Sequence, residues 1–308
     1  MPQNETPAVS VVIAMRDEAQ LVDELLGRLD AALSGAGRAF EVVAVDDGST
    51  DDTWERLKRC APSRPWLRGI ALARAFGQHA ATFAGLRAAR GGVIVTMDAD
   101  LEVDPEDTQV LLAQIDDGAD VVFAERAHAQ EGFVGHSIRC AAKRFLSRHA
   151  VGAPPAKLST FLAARREVVE AALEFENPRP VTPYHLMLAG PRDVRSVTVR
   201  ERPRAKGSSK YNALRLVRLS ADVFFGYATI VEETLAALAA AVPAGTLLLW
   251  VAAFFFSLGG LEWASGFLVL AGIIYALAGL SALVLFVGEL ALRRGGKGKP
   301  LYLVRETL

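Results

Sequence analysis

Two aspartates separated by one residue, Asp98 and Asp100, close an apolar run over residues 93–97. Carboxylates spaced this way at the end of a buried strand can hold a hard divalent cation, Mg²⁺ or Mn²⁺, whose other ligands come from a substrate's phosphates. Glu102 follows two residues later, so Asp98, Asp100 and Glu102 form a candidate metal set. The plainer reading is an acidic loop capping the next helix. Asp104 and Glu106 fit that reading better, since acids near a helix amino terminus are stabilised by its dipole. A second acidic pair, Asp46 and Asp47, ends the run over 40–45 and precedes Gly48 and Ser49. It can accept hydrogen bonds from a base N–H and ribose hydroxyls, with Gly48 allowing a tight turn. Taken alone, Asp-Asp-Gly-Ser is a common turn. Downstream, Arg204, Lys206, Ser209 and Lys210 lie in a basic loop. Such a loop can stabilise a diphosphate leaving group or sit beside an anionic membrane surface.

These groups need a scaffold. Apolar runs over 9–15, 40–45, 67–72, 93–97 and 121–124 read as strands, and the alternation over 194–199 as another. Between them, helical periodicity covers 18–33, where Leu21, Leu25, Leu29 and Leu33 form one stripe, then 52–60 and 78–89, with a further helix opening at Pro105. Residues 49–52 offer a capping box for the second helix. Helices are also expected over 138–149 and 166–173, and a Pro-rich loop over 177–183. Strand–helix alternation of this kind predicts a parallel, doubly wound sheet. Ligands of such sheets bind outside the carboxyl ends of the strands, where Asp46, Asp47, Asp98 and Asp100 fall. No G-x-x-x-x-G-K-[ST] occurs, and no G-x-G-x-x-G follows a strand, which removes the P-loop and dinucleotide readings.

The chain has 308 residues and a formal net charge of -1, which argues against a nucleic-acid partner. Almost all charge precedes Glu233; residues 234–261 and 263–288 hold none. Each stretch exceeds the roughly 20 residues that cross a bilayer as a helix, so a membrane hairpin is expected, with a pair of buried core helices as the alternative. Pro243 predicts a kink or a later start in the first span. Residues 258–263 connect the spans, and Arg293, Arg294, Lys297 and Lys299 follow the second. The positive-inside rule then places that tail and the soluble part in the cytoplasm, with Glu262 outside. Residues 1–7 do not read as a signal peptide. Over 212–229, apolar residues alternate helically with Arg215 and Arg218, as in a helix lying in the membrane interface or one packed on the domain surface. Cys60 and Cys140 read as reduced and structural, and the five histidines show no zinc spacing.

Residues 9–18, Val45-Asp46-Asp47-Gly48-Ser49, Asp98-Ala99-Asp100-Leu101-Glu102 and Arg204-x-x-Gly207-x-Ser209-Lys210-Tyr211 occur in that order before the two apolar stretches. In this the chain resembles the family 2 glycosyltransferases of GT-A fold. The branch it resembles acts on polyprenyl phosphates and includes dolichol-phosphate mannose synthases and bacterial undecaprenyl-phosphate sugar transferases. The resemblance implies an α/β fold: a cytosolic, Rossmann-like GT-A domain with a mostly parallel sheet over 1–211. An interface helix over 212–232, two transmembrane helices over 233–292 and a cytosolic basic tail over 293–308 would follow. It implies a multi-pass enzyme of the cell membrane, self-associating through its membrane helices. Sugar would pass, with inversion, from a nucleotide sugar, UDP as first choice, to a polyprenyl phosphate. Glu18, Asp46 and Asp47 would meet the nucleoside. Asp98, Asp100 and Glu102 would hold metal and diphosphate. Arg204, Ser209 and Lys210 would bind phosphate, and Arg74 matches the arginine of the family's R-N-F-G stretch.

Five positions depart from the family pattern: Ala14 for Pro, Asp17 and Ala75 for Asn, Lys157 for an Asp that is a candidate base, and Leu162 for the Arg after Phe161. A phosphate monoester, with a second pKa of about 6, is already mostly ionised at neutral pH and needs little help from a base. Lys157 can instead attract that phosphate. A non-catalytic nucleotide-binding or assembly module, or a transferase with another acceptor, is the alternative. A processive polysaccharide synthase would need a Q-x-x-R-W motif and more spans, which the sequence lacks.

Overall fold

The computed structural model describes residues 6–35, 37–126, 159–175, 182–199, 230–294 and 301–308. Val9–Met15 (β1) is buried at every residue but Ala14 because it is flanked on both edges. It pairs in parallel with β2 (Phe40–Asp46) on one side and β4 (Val93–Asp98) on the other. Beyond β2 lies β3 (Leu67–Leu72), also parallel. Beyond β4 lies β6 (Leu162–Arg165), antiparallel to both β4 and β5 (Val121–Arg126), and β7 (Val194–Val199) closes that edge in parallel with β5. The opposite edge holds β8 (Val304–Thr307), antiparallel to β3, so the eight-stranded order is β7-β5-β6-β4-β1-β2-β3-β8.

The two-residue period of a strand sends alternate side chains to opposite faces, and each face has its own core. Val11, Ile13 and Met15 meet Leu25, Leu26 and Leu29 of α1 (Val22–Ser34), Leu57 of α2 (Thr53–Cys60) and Leu111 of α4 (Thr108–Asp116). Val12, Val43 and Val45 meet Phe83 and Leu86 of α3 (Gln78–Ala88), Val169 of α5 (Arg166–Glu174) and Leu186 of α6 (Thr182–Leu188). Helices on both faces bury the sheet, as parallel strands require.

Several local readings change. The helix from Pro105 starts as a 3-10 turn, Pro105–Asp107, before α4. Asp104 and Glu106 there are clamped by Arg28 of α1. The capping box is absent: Asp51 Oδ1 accepts the Thr53 N–H at 3.0 Å, and the same carboxylate reaches Ala19. Part of the expected loop over 177–183 is α6, with Pro183 in its first turn, where proline is tolerated. Cys60 is buried, its thiol donating to Asp23. The helix expected over 138–149 and Cys140 lie outside the described residues.

Ile230–Leu258 (α7) and Glu262–Arg294 (α8) form the hairpin, turning over residues 259–261. The turn is closed by N–H groups of Gly259, Gly260 and Leu261 returning to carbonyls of the last turn of α7. Pro243 lies inside α7. Glycines let the two helices approach closely: a Cβ on Gly245 would come within 2.7 Å of Tyr275, on Gly272 within 2.6 Å of Trp250, and on Gly279 within 2.5 Å of Val242. Small residues serve the same purpose between membrane helices generally. Ala239–Leu258 and Glu262–Gly288 are long and apolar enough to span a bilayer, and only 6% of each window is buried. Leu247, Phe254, Phe255, Trp263, Phe267 and Leu285 are exposed on the outside, a surface too apolar and too large for water. Among the described residues the outer faces of these helices are therefore not packed in a core. The segment expected to lie in the interface, 212–229, is outside the described residues.

Part of the expected basic tail is β8, hydrogen-bonded into the soluble sheet. It is four residues long and carries charges, as edge strands tend to.

Candidate active site

The parallel strands β1 to β4 all end at one pole, and the residues singled out by sequence gather there. Asp46 ends β2 and is 1% exposed. Its Oδ1 accepts the Ser49 N–H at 3.2 Å. Its Oδ2 is buried and accepts no hydrogen bond from the described residues. Burial pushes this carboxyl above its ordinary pKa of 3.8, opposed by Ser49 and by the charge of Arg305. A buried carboxylate oxygen without a donor is costly, which makes it a natural seat for a ligand N–H or O–H.

Asp47 is equally buried, and burial raises its pKa too, but both of its oxygens are engaged. They accept the N–H groups of Phe76 at 2.7 Å and Gly77 at 2.9 Å. Asp47 therefore fixes the Arg74–Gly77 loop. Gly48 explains the rest of the motif. Its φ is +63°, and a Cβ there would lie 2.4 Å from the Arg74 carbonyl carbon. Arg74 itself is exposed, with its guanidinium 4.3 Å from the Phe76 ring centroid. The Asn-to-Ala change at Ala75 leaves this backbone contact in place.

Glu18 and Asp17 sit on the loop after β1. Asp17 has φ +56°, a left-handed conformation that Asn and Asp tolerate best. Its carboxylate accepts the Thr50 N–H at 2.8 Å, and its own N–H donates to Ser49 Oγ. The Glu18 N–H donates to Thr53 Oγ1 at 2.9 Å. The first two strand-end loops are thus stitched together, and Asp for Asn at position 17 preserves the device. Ala14 pairs with Asp98 across β1 and β4.

Asp98 ends β4, and two side chains hold it: Gln78 Nε2 donates to Oδ1, and Thr160 Oγ1 to Oδ2 at 2.8 Å. Thr160 is in turn fixed through its carbonyl, which accepts Thr96 Oγ1 at 2.6 Å. Neither Gln78 nor Thr160 was singled out from sequence. The signals were a polar residue opening an apolar helix and a hydroxyl in the Ser159-Thr160-Phe161 segment. Asp100 Oδ1 accepts the Glu102 N–H at 3.2 Å around Leu101, a buried residue at φ +56°. Non-glycine residues held there are strained and concentrate at functional sites. Among the described residues no three His, Cys, Asp or Glu side chains converge as a metal cage. Asp98, Asp100 and Glu102 share the pole without forming one. Lys157, Arg204, Ser209 and Lys210 lie outside the described residues.

Residues 10–146 match the family described as glycosyl transferase family 2. Over those residues the chain is similar to family 2 glycosyltransferases. It is 33% identical over 216 residues to an undecaprenyl-phosphate 4-deoxy-4-formamido-L-arabinose transferase of Klebsiella pneumoniae, a match covering 70% of this chain and 66% of that one. It is 36% identical over 222 residues to the transferase of the same description from Pseudomonas aeruginosa, covering 70% and 63%. The chain thus matches somewhat less than two thirds of these relatives' lengths. A solved mycobacterial protein superposes with a TM-score of 0.52 at 18% identity, over 71% of this chain and 74% of that chain, and shares the fold. The mostly parallel sheet with helices on both faces is the α/β architecture expected from sequence.

Proposed function

We propose that this chain is a membrane-anchored, inverting glycosyltransferase that moves a sugar from a nucleotide sugar to a polyprenyl phosphate. The observation that supports it most is the buried Oδ2 of Asp46, without a donor among the described residues, at the pole where β4 ends in Asp98 and Asp100 follows. Asp46 accepts a hydrogen bond from the nucleoside, for which UDP is the first choice. Asp47 and Gly48 hold the Arg74 loop against it. Asp98 and Asp100 face the diphosphate, with Glu102 beside them, and a bound Mg²⁺ or Mn²⁺ supplies charge neutralisation there. An acceptor phosphate oxygen attacks the anomeric carbon from the face opposite the diphosphate. The bond from that carbon to the leaving oxygen breaks, and its electron pair departs with the nucleoside diphosphate. An already ionised phosphate has no proton to lose, so Lys157 in place of a carboxylate base is compatible with this acceptor. By its charge Lys157 attracts the acceptor phosphate, and by family position Arg204, Ser209 and Lys210 bind phosphate.

The hairpin supports a lipid acceptor. Because β8 rejoins the sheet that the chain left before α7, the hairpin begins and ends on the same side of the bilayer. Two crossings satisfy this, and the basic residues after α8 favour the cytoplasmic side. The relatives' descriptions name undecaprenyl phosphate.

The test is transfer of radiolabelled sugar by purified protein with Mg²⁺ or Mn²⁺. UDP- and GDP-sugars, a 4-deoxy-4-formamido-L-arabinose donor among them, are offered with and without undecaprenyl phosphate. Labelled lipid is expected only with the polyprenyl phosphate, and Asp100→Asn is expected to lower its formation about 100-fold or more while the melting temperature holds. Nucleotide binding without lipid product from any donor would favour the non-catalytic module.

A further inference from the structure

The strand that follows the membrane hairpin reaches the same pole. β8 runs antiparallel to β3, so its start lies against the carboxyl end of β3: Val304 faces Leu72, Glu306 faces Ala71 and Thr307 faces Ile70. The register shifts between Ala71 and Leu72, leaving Arg305 as the extra residue of a bulge. Bulges re-aim side chains and recur beside active sites. The strand is pinned on both sides of it. Leu303 O accepts the Ala73 N–H at 2.8 Å, one residue from Arg74, and the Leu308 N–H donates to Gly69 O at 2.8 Å. The Glu306 carboxylate accepts Trp54 Nε1 at 2.8 Å.

Arg305 is exposed and forms no ion pair among the described residues. Its charge nevertheless reaches Asp46, where it opposes the effect of burial. The strand order lays out a donor across the pole. Asp98, for the diphosphate, ends β4 and Asp100 follows it; Asp46, for the nucleoside, ends β2; β3 and then β8 continue on the nucleoside side. A guanidinium there can fork onto the carbonyl oxygens of a base or stack on its face, and its planar geometry is not matched by an ammonium.

We propose that Arg305 is a nucleoside-binding residue of the donor site, supplied by the strand beyond the membrane hairpin. The proposal rests on the glycosyltransferase reading above. It makes the donor site complete only when chain from beyond the second span is docked on the sheet edge.

The experiment is calorimetric titration of UDP and GDP into the full chain in detergent, for wild type, Arg305→Ala, Arg305→Lys and Thr307→Ala, with the KM for undecaprenyl phosphate measured alongside. Arg305→Ala is expected to weaken the preferred nucleotide about 10-fold, the loss of one charge-assisted hydrogen bond. Arg305→Lys recovers part of that, Thr307→Ala binds as wild type, and neither the acceptor KM nor the melting temperature moves. Wild-type affinity in Arg305→Ala overturns the proposal while leaving the glycosyltransferase reading intact. So does an equal loss in Thr307→Ala, which would mean strand docking, or a shift in acceptor KM alone. A wild type that binds neither nucleotide overturns both.

Discussion

Glu41 and Asp46 lie on the same strand, at 2% and 1% exposure, with opposite surroundings. Glu41, at the start of β2, accepts the Ser10 hydroxyl at 2.7 Å, the Arg90 backbone N–H, and the guanidinium groups of Arg68 and Arg90 at 3.1 Å. Burial raises its pKa, but these donors together bring it below the ordinary 4.5. Asp46, at the other end, is left with an oxygen that none of the described residues satisfies and a pKa above the ordinary value. The difference separates structure from function within one β-strand. The saturated carboxylate ties β1, β2 and β3 and the chain after α3 together at the pole away from the site. The unsaturated one weakens the fold slightly and gives a ligand something to complete, the usual exchange of stability for function.

Three changes test that contrast, taken from the largest effect down. Asp46→Asn is expected to reduce nucleotide binding and transfer about 100-fold, with a melting temperature at or above wild type, measured by calorimetry and thermal melts on the same preparation. Glu41→Gln is expected to do the reverse. It removes the charge facing two partly exposed arginines, which costs about 2–3 kcal/mol of stability in urea titrations; transfer per folded molecule stays unchanged. The smallest effect is in pH dependence. A carboxyl whose folded pKa lies above its unfolded value weighs against folding at higher pH, and the penalty is relieved as pH falls through the folded value. Asp46 and Asp47 behave this way. Glu41, with a depressed folded pKa, contributes stability above its ordinary 4.5 and loses it as pH falls through the folded value. In urea melts Glu41→Gln is therefore expected to flatten the loss of stability at the acid end, and Asp46→Asn to steepen it, since the gain from protonating Asp46 is gone.

Strands buried on both faces were legible as long, unbroken apolar runs, and β1 and β3 begin and end where the runs do; β7, partly exposed, was legible by its alternation instead. β6 and β8 escaped because each is four residues long, and β8 owes its place to β3, far away in the chain. At the site, acidic residues at strand ends were readable because strand ends in such sheets are where ligands bind. What each acid touches was not. Asp47 reads like Asp46, yet its partners are the Phe76 and Gly77 backbone, a contact between loops that no local pattern encodes. Gln78 and Thr160 were missed for the same reason, being recognisable only through the Asp98 carboxylate they hold. Arg305 belongs to a segment whose composition reads as a basic tail, and only the bulged pairing of β8 brings it to the pole.

The most direct test of the account is calorimetric titration of UDP and GDP into wild type, Asp46→Asn and Glu41→Gln, in parallel. The expected result is nucleotide binding by wild type and Glu41→Gln, lost in Asp46→Asn despite an intact fold. Undiminished binding by Asp46→Asn would contradict it and move the nucleoside away from the carboxyl end of β2.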